Sequence, residues 1–418
     1  MTNRNIEIQY RLASVWQAKG NLEQAIEGYR NILNRQPNHL AATLKLGNLM
    51  QEQGRPDEAL TIFRQALNHH PNEARIHKHF VNALIGQAGL DEAFRYYQLT
   101  RRDTKAIDMY PQDILCCLVI RNEVHRLPYL LTYYRHKGID KFLVVDNHST
   151  DGSLAYLLEQ PDVFVWQSDY SFNKANFGAG WFELLLRKYG SEHWVLIVDA
   201  DELLYYPQCE TTSIADLCRH LDRKNKRAFR AILLDMYSDK PIRATYYKPG
   251  QNFLEVCPYF DRQFYHTMCE QSSPFGNQTL YIGGVRERVF GKAGDYYLNK
   301  APLLKYTPDC ILIGGQHGTN LPTTDIATER GVLLHFKYFS SFIDYAKQET
   351  KRKEHYGGAM QYREYAQGLD NDEALTLFNP DYSVKLESSE QLVQLGIMHI
   401  DGEDNSEISY DKTQQRYS

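Results

Sequence analysis

Small, aromatic and proline residues recur in the N-terminal part of the chain at a spacing of 34: Ala25, Ala59 and Ala93; Gly20 and Gly54; Tyr29, Phe63 and Tyr97; Pro37 and Pro71. A period of that length constrains the fold more than any short motif, because each copy can bury its apolar face only against the next copy. The small residues let paired helices approach, the rings fill the space between them, and the prolines stop the second helix of each pair. Three copies meet the usual minimum for such a stack. An all-helical array is therefore expected over residues 1–104.

Leu46-Gly47, Gly54, Ala59, Phe63, Ala66 and Pro71 stand where tetratricopeptide repeats carry their small, aromatic and proline positions, and residues 4–102 resemble that family. Ala13 stands where a glycine is usual, and Ala88 lies near the turn of the third copy. The resemblance implies either a cap that covers one side of its neighbour or a concave surface for a protein or peptide partner.

After the polar joint at 101–105 the periodicity changes. Apolar runs at 114–120, 142–145 and 163–166 read as buried strands, and segments around 127–134, 153–159 and 175–189 read as helices. Such alternation predicts an α/β domain over 105–378, a mostly parallel sheet with helices on both faces, whose ligands bind at the carboxyl ends of the strands.

The next strand, Trp194-Val195-Leu196-Ile197-Val198, runs into Asp199-Ala200-Asp201-Glu202. If the chain stays extended there, Asp199 and Asp201 point to one side about 6.5 Å apart at the backbone. An oxygen-only pair suits a hard cation, Mg²⁺ or Mn²⁺, which also takes phosphate oxygens and waters. Acids at strand ends also serve as turns or caps, so the motif needs its context. Two further strand ends are polar: Arg121-Asn122-Glu123, and Asp146-Asn147-His148-Ser149-Thr150-Asp151-Gly152. Asp146 and Asp151 are the candidates for ligand contact in the second, and Ser149, Thr150 and Gly152 read as a capped turn.

Taken in order, Ile-Arg-Asn-Glu (120–123), Val-Asp-Asn-His-Ser-Thr-Asp-Gly-Ser (145–153) and Asp-Ala-Asp-Glu (199–202) make residues 112–368 similar to family-2-type glycosyltransferases of the GT-A fold. That resemblance implies that Asp146 contacts the nucleoside, that Arg121, Asn122 and Glu123 line the nucleotide pocket, and that Asp199 and Asp201 form the DxD site for metal and diphosphate. It also implies a nucleotide-sugar donor, with UDP the expected base, and inversion at the anomeric carbon. The acceptor is left open among glycan, lipid and protein.

Asp235 and Asp239 follow the apolar run 231–234, and with Glu202 they are candidates for the base that deprotonates an acceptor hydroxyl; turns and caps are the commoner use of such aspartates. Arg286, in Gly283-Gly284-Val285-Arg286, and Lys300, in Leu298-Asn299-Lys300, are candidates to steady the diphosphate, against the plain reading of solvated cations. His335, in Leu334-His335-Phe336-Lys337, is a candidate metal ligand, and His317 a weaker one. Residues 340–369 read as helical, and 379–418 as a polar extension.

A net charge of -5 and a pI near 6.3 argue against general affinity for nucleic acid or anionic membrane. Seven cysteines without a CxxC spacing indicate neither a zinc site nor a disulfide framework. The start lacks signal-peptide character, and no apolar run approaches the roughly 20 residues of a membrane span, so a cytoplasmic protein is expected. The leading expectation is a metal-dependent glycosyltransferase. Two alternatives remain: a haloacid-dehalogenase-like phosphatase, which also uses Asp-x-Asp after a strand, and a repeat scaffold with an inactive transferase-like domain.

Overall fold

The computed structural model describes residues 3–263, 265–270, 278–291 and 296–400. Six helices come first: α1 (Asn3–Ala18), α2 (Leu22–Arg35), α3 (Leu40–Glu52), α4 (Pro56–His69), α5 (Ala74–Ala88) and α6 (Leu90–Tyr96). Gly47 shows why the period alternates small and aromatic residues. A β-carbon there would lie 2.2 Å from the Phe63 ring, so glycine is what lets α3 close on α4. α2 and α4 stop shortly before Pro37 and Pro71, as the missing N–H and the restriction on the preceding residue require. Gly20 and Gly54 turn with left-handed φ of 79° and 69°. In the third copy, where alanine occupies position 88, Gly89 supplies the turn at φ 84°.

The remainder is built on a nine-stranded sheet. β1 (Thr100–Arg101) forms its edge, antiparallel to β4, so the sheet begins ahead of the boundary expected at 104. The polar joint is stitched down: Asp103 accepts from Arg101 at 2.8 Å and from the Val165 amide at 2.7 Å. β2 (Ile114–Ile120), α7 (Leu127–His136), β3 (Lys141–Asp146), α8 (Ser153–Leu158), β4 (Val163–Gln167), α9 (Ala179–Tyr189) and β5 (Trp194–Ile197) then alternate as expected. β4, β3, β2 and β5 are parallel neighbours in that order.

Beyond β5 the expected mostly parallel sheet gives way to a mixed one. β6 (Glu202–Tyr205), α10 (Ile214–Arg223), β7 (Ala228–Asp235), α11 (Phe253–Val256), β8 (Tyr259–Asp261), β9 (Tyr265–Glu270), β10 (Gln278–Gly283), α12 (Val285–Phe290), β11 (Asn299–Lys305) and β12 (Ile326–His335) follow. The order across the sheet is β1-β4-β3-β2-β5-β11-β7-β12-β6. β11 is antiparallel to both β5 and β7, β12 is parallel to β7, and β6 is antiparallel to β12. Parallel neighbours need a crossover of a dozen or more residues, usually helical. The helices in this stretch are mostly short, so the chain reverses directly.

Strand alternation divides the core into two layers. Cys116, Leu118, Phe142 and Val144 face α7, α8 and α10, whereas Leu115, Cys117, Leu143 and Val145 face α9 and share one apolar core with the repeats. Lys78 of α5 meets Glu183 of α9 at 2.6 Å, both buried, and Arg187 adds a second contact to Glu183 at 2.7 Å. The repeats thus cover one face of the sheet, which is the capping role of the two expected. The first helix leaves Ile8, Leu12 and Val15 exposed.

α13 (Phe342–Arg352) and α14 (Tyr356–Asn371) fill the predicted helical stretch. The extension expected from 379 instead packs onto the domain. β13 (Ser383–Lys385) pairs with β8, α15 (Ser389–Gln394) buries Leu392, and Ile397 and Met398 join the same core. Arg330 and His399 exchange backbone hydrogen bonds of 3.1 and 3.0 Å. The polar end from 401 lies outside the described residues. Cys116, Cys117, Cys209, Cys218, Cys257 and Cys310 are buried free thiols. Among the described residues no helix is long and apolar enough to cross a membrane.

Candidate functional site

The acidic segment 199–202 links β5, in the middle of the sheet, to β6 at its edge, so it crosses the ends of β11, β7 and β12. Because β11 and β6 run antiparallel to their neighbours, their first residues lie on the same rim as the last residues of β7 and β12. Topology alone therefore gathers Lys300, Asp235, His335 and Glu202 under one loop. In register, His335 lies opposite Glu202 on one side and Asp235 on the other.

The loop does not stay extended. The Glu202 amide donates to the Asp199 carbonyl at 3.1 Å, and the Asp199 amide donates to Glu202 Oε2 at 3.0 Å, closing a four-residue turn with Asp at its first position. Glu202 is thereby occupied: it is buried, and its other oxygen lies 3.0 Å from Lys300 Nζ. Its expected role as base is replaced by a structural one.

Asp199 remains open. Its side chain is 59% exposed, and its nearest cation, Lys300, is 3.7 Å away. Crowding by protein atoms at the floor of a depression, together with Glu202 and Asp201, lifts its pKa to about 6 against the pull of Lys300. Lys300 is buried and also donates to the Gly315 carbonyl at 2.8 Å. Burial disfavours its charge, yet Glu202 and Asp199 outweigh that and raise its pKa. A small depression beside it has Asp199, Glu202, Lys300 and Gln316 at its polar end and Val119, Phe172, Phe177 and Phe182 along its apolar wall.

A second cluster lies beside the first and is closed. Asp235, with 3% of its side chain exposed, receives Arg286 Nε and Nη2 at 2.7 and 2.8 Å and His335 Nδ1 at 2.6 Å. Burial works against its charge, but Arg286 and His335 prevail and hold its pKa far below the ordinary carboxylate range. It cannot take a proton from an acceptor, and Arg286, whose fork is engaged by it, is not a free diphosphate clamp. His335 Nε2 faces Asp201 Oδ2 at 3.4 Å. Burial lowers the pKa of His335, and its two flanking carboxylates raise it further than burial lowers it. Both nitrogens of His335 are thus taken up by protein partners, Nδ1 by Asp235 with Arg286 Nη2 3.0 Å away and Nε2 by Asp201, so in place of the expected ligation His335 braces the two aspartates. Burial likewise raises Asp201, but His335, Arg126 and Lys337 hold it low.

Asp146 is fully buried, accepting from the Ser149 amide at 3.2 Å and from Gln167 Nε2 at 3.0 Å, so it shapes its loop and has no open oxygen for a nucleoside. Asp151 accepts from the Ser153 amide at 2.9 Å and the Val124 amide at 3.0 Å. Asn122, at φ 57°, accepts from the Thr150 amide at 2.7 Å and donates its own amide to Ser149 at 2.9 Å. These three residues sew one polar strand end to the next. Arg121 donates to the Asn147 carbonyl at 2.7 Å, and Arg352 reaches the Asn147 side chain. Glu123 pairs with Arg126 at 2.7 Å; burial pushes its carboxyl up to about 7, with Arg126 opposing. Asp239 is exposed and accepts only from Ser238 at 3.3 Å among the described contacts, outside both clusters. His317 donates to the Asn299 carbonyl at 2.9 Å and stays neutral, its pKa lowered by crowding and by Lys300.

Arg126, Lys337, Arg352 and Gln316 are the residues that sequence reasoning missed. A signal for Gln316 was present: it stands inside the glycine-rich run 314–318, the local mark of left-handed backbone, and has φ 56°.

As to a cation, the described residues hold no group of three or more His, Cys, Asp or Glu arranged around one point. Asp199 and Asp201 remain as a pair. Mg²⁺-type sites commonly use one or two carboxylates with substrate phosphates and water, and the pair fits that pattern rather than a complete protein cage.

No curated protein matches the chain. In solved structures, MamA matches at 21% identity over 23% of this chain and 53% of its own, with a TM-score of 0.22. The Yersinia enterocolitica type III secretion chaperone SycD, in complex with a peptide of the translocator YopD, matches at 22% identity over 22% of this chain and 70% of its own, with a TM-score of 0.21. The match thus spans about half the length of MamA. Residues 17–79 match the family model of the tetratricopeptide repeat, and the N-terminal all-helical array is consistent with that repeat.

Proposed function

We propose that the chain transfers a sugar from a nucleotide-diphosphate sugar to an acceptor hydroxyl, on a GT-A-type domain with Mg²⁺ or Mn²⁺ held between Asp199, Asp201 and the diphosphate. The observation that carries the reading is the contrast at one rim: Asp199 is open to solvent while the acids around it are paired. A bound divalent cation supplies charge stabilisation for the departing diphosphate.

The chain's own part is positioning. The turn closed by Glu202 fixes the Asp199 backbone, Lys300 beneath it keeps two acids from repelling each other, and the His335–Asp235–Arg286 brace orients Asp201. With Asp235, Glu202 and Glu123 each engaged by a cation, the proton of the acceptor falls to the exposed Asp239. UDP remains the expected nucleotide, and a protein or peptide partner for the repeats remains a proposal.

The experiment is to incubate the protein with Mn²⁺ and a set of nucleotide sugars and measure nucleotide release. Release that disappears in Asp201→Ala supports the reading. No release with any donor, joined to hydrolysis of a phosphomonoester, would favour the phosphatase instead.

A further inference from the structure

The repeats carry an apolar face with no helix over it. Ile8, Leu12 and Val15 of α1 are 55%, 45% and 47% exposed, and their spacing of four and three sets them on one side of the helix. One period of 34 further on stand Ala42, Leu46 and Leu49 of α3, and one more brings Ile76, Phe80 and Ala83 of α5; all six are at most 2% exposed. The cause of the difference is positional. α1 packs on α2 as α3 packs on α4 and α5 on α6, but α3 is also backed by α2 and α5 by α4, whereas among the described residues no helix precedes α1. α5 also meets α9, so α3 is the cleaner comparison. Toward the following helix the repeats behave alike: a β-carbon at Gly28 of α2 would lie 2.9 Å from that of Ala13, just as one at Gly47, a period later, meets Phe63 of α4. The three exposed side chains are therefore those that a preceding helix covers, at a position where an end repeat normally turns a polar face outward.

We propose that this face docks α1 of a second copy of the protein, the two helices crossing antiparallel about a two-fold axis near Leu12. The inference is independent of the transferase reading. The stripe continues the stacking interface already built between the repeats, and it complements itself. Among the described residues no other helix exposes more than one large apolar side chain, so a second α1 is the element of this protein that can cover the first. The spacing is symmetric about its middle: Leu12 meets Leu12, and Ile8 of each copy meets Val15 of the other, the isologous pattern of a two-fold contact. The antiparallel sense also brings the positive end of each helix beside the negative end of the other. Charge at the flank does not oppose the contact, because Glu7 and Arg11 pair with each other at 2.9 Å. Three side chains a side make a patch well below the roughly 800 Å² per partner of standard stable complexes, so the dimer is weak and concentration-dependent.

The test is sedimentation velocity on the full chain from micromolar to near-millimolar concentrations, for the unaltered protein and for Leu12→Glu. The unaltered protein is expected to pass from monomer toward dimer as concentration rises, and Leu12→Glu to weaken association about tenfold or more, since it sets two carboxylates against each other on the axis. Leu12 is exposed in the single chain, so the variant should melt as the unaltered protein does. A monomer at every concentration overturns the inference and leaves the stripe to a helix of another protein. A dimer that Leu12→Glu leaves intact overturns it as well, because the contact then lies elsewhere. Cross-linking under mild oxidation reads the sense of crossing. Leu12→Cys, and Ile8→Cys mixed with Val15→Cys, should join two copies beyond the background of the unaltered protein. Ile8→Cys alone should not, because the antiparallel crossing sets its two copies about 10 Å apart along the axis, too far for a disulfide. Efficient joining of Ile8→Cys to itself would overturn the antiparallel contact.

Discussion

Asp199 and Asp235 leave the same rim of the same sheet, one just beyond β5 and one at the end of β7, yet they are opposites. Asp235 is buried and meets two nitrogens of Arg286 and one of His335, whereas Asp199 is open to solvent with one cation 3.7 Å away. The charge of the first belongs to the fold, and that of the second is available to a ligand. Position at a strand end does not make a residue functional. What distinguishes the two is whether the protein has already neutralised the group.

The largest effect that would break this comparison lies in activity. Replacement of Asp201 by alanine should reduce transfer at least about 100-fold, beyond the range seen for outer-shell partners of a metal. An active Asp201→Ala protein would remove the distinction. Next comes stability. Asp235→Ala strands Arg286 and His335 without their carboxylate, and loss of one member of a buried pair costs about 3–5 kcal/mol in urea unfolding. Asp199→Ala should change unfolding by less than about 0.5 kcal/mol, since its ionised form is disfavoured by its surroundings. If the two variants were equally destabilised, both aspartates would be structural.

A smaller effect concerns pH. The pKa of His335 is raised on folding, so its contribution is fully present below its unfolded value, about 6.5, and fades as pH climbs through the folded value. The pKa values of Asp201 and Asp235 are lowered, so their contributions are present above about 3.9 and fade as pH falls. The gap in unfolding free energy between the unaltered protein and His335→Gln should therefore be widest between about pH 4 and 6.5 and narrower at pH 9. A gap independent of pH would mean that His335 is neutral in the fold and free to bind a metal after all. Away from the rim, Gly47→Ala in the repeats brings a methyl against Phe63, and overpacking costs about 1–3 kcal/mol with no change in nucleotide binding.

The repeats were legible because a period announces itself: Gly47, Phe63 and Pro71 each do locally what their spacing implies. The strands up to β5 were legible for a related reason, since each apolar run is separated from the next by a helix with one apolar face. Past β5 the order of strands depends on pairings between residues far apart, such as Leu303 with Leu196 and Phe229, and no local pattern encodes that β11 inserts between β5 and β7. The site was legible in residue type and not in state. Asp235 and His335 lie at the rim, as their places in apolar runs suggested, and Arg286 reaches it from α12, but that the three neutralise one another is a property of separate strands and a helix brought together. The glycine-rich run around Gln316 signalled left-handed backbone, but its burial without a partner is a property of the fold that no motif carries.

The central claim is that the open Asp199 and its neighbour Asp201 take a divalent cation together with a diphosphate. Titration of UDP into the protein with and without Mn²⁺, repeated on Asp199→Asn, addresses it most directly. The account predicts binding that requires Mn²⁺ and weakens at least about tenfold in the variant, a loss of about 1.4 kcal/mol or more. Binding that is indifferent to Mn²⁺, or equally strong in Asp199→Asn, would contradict it.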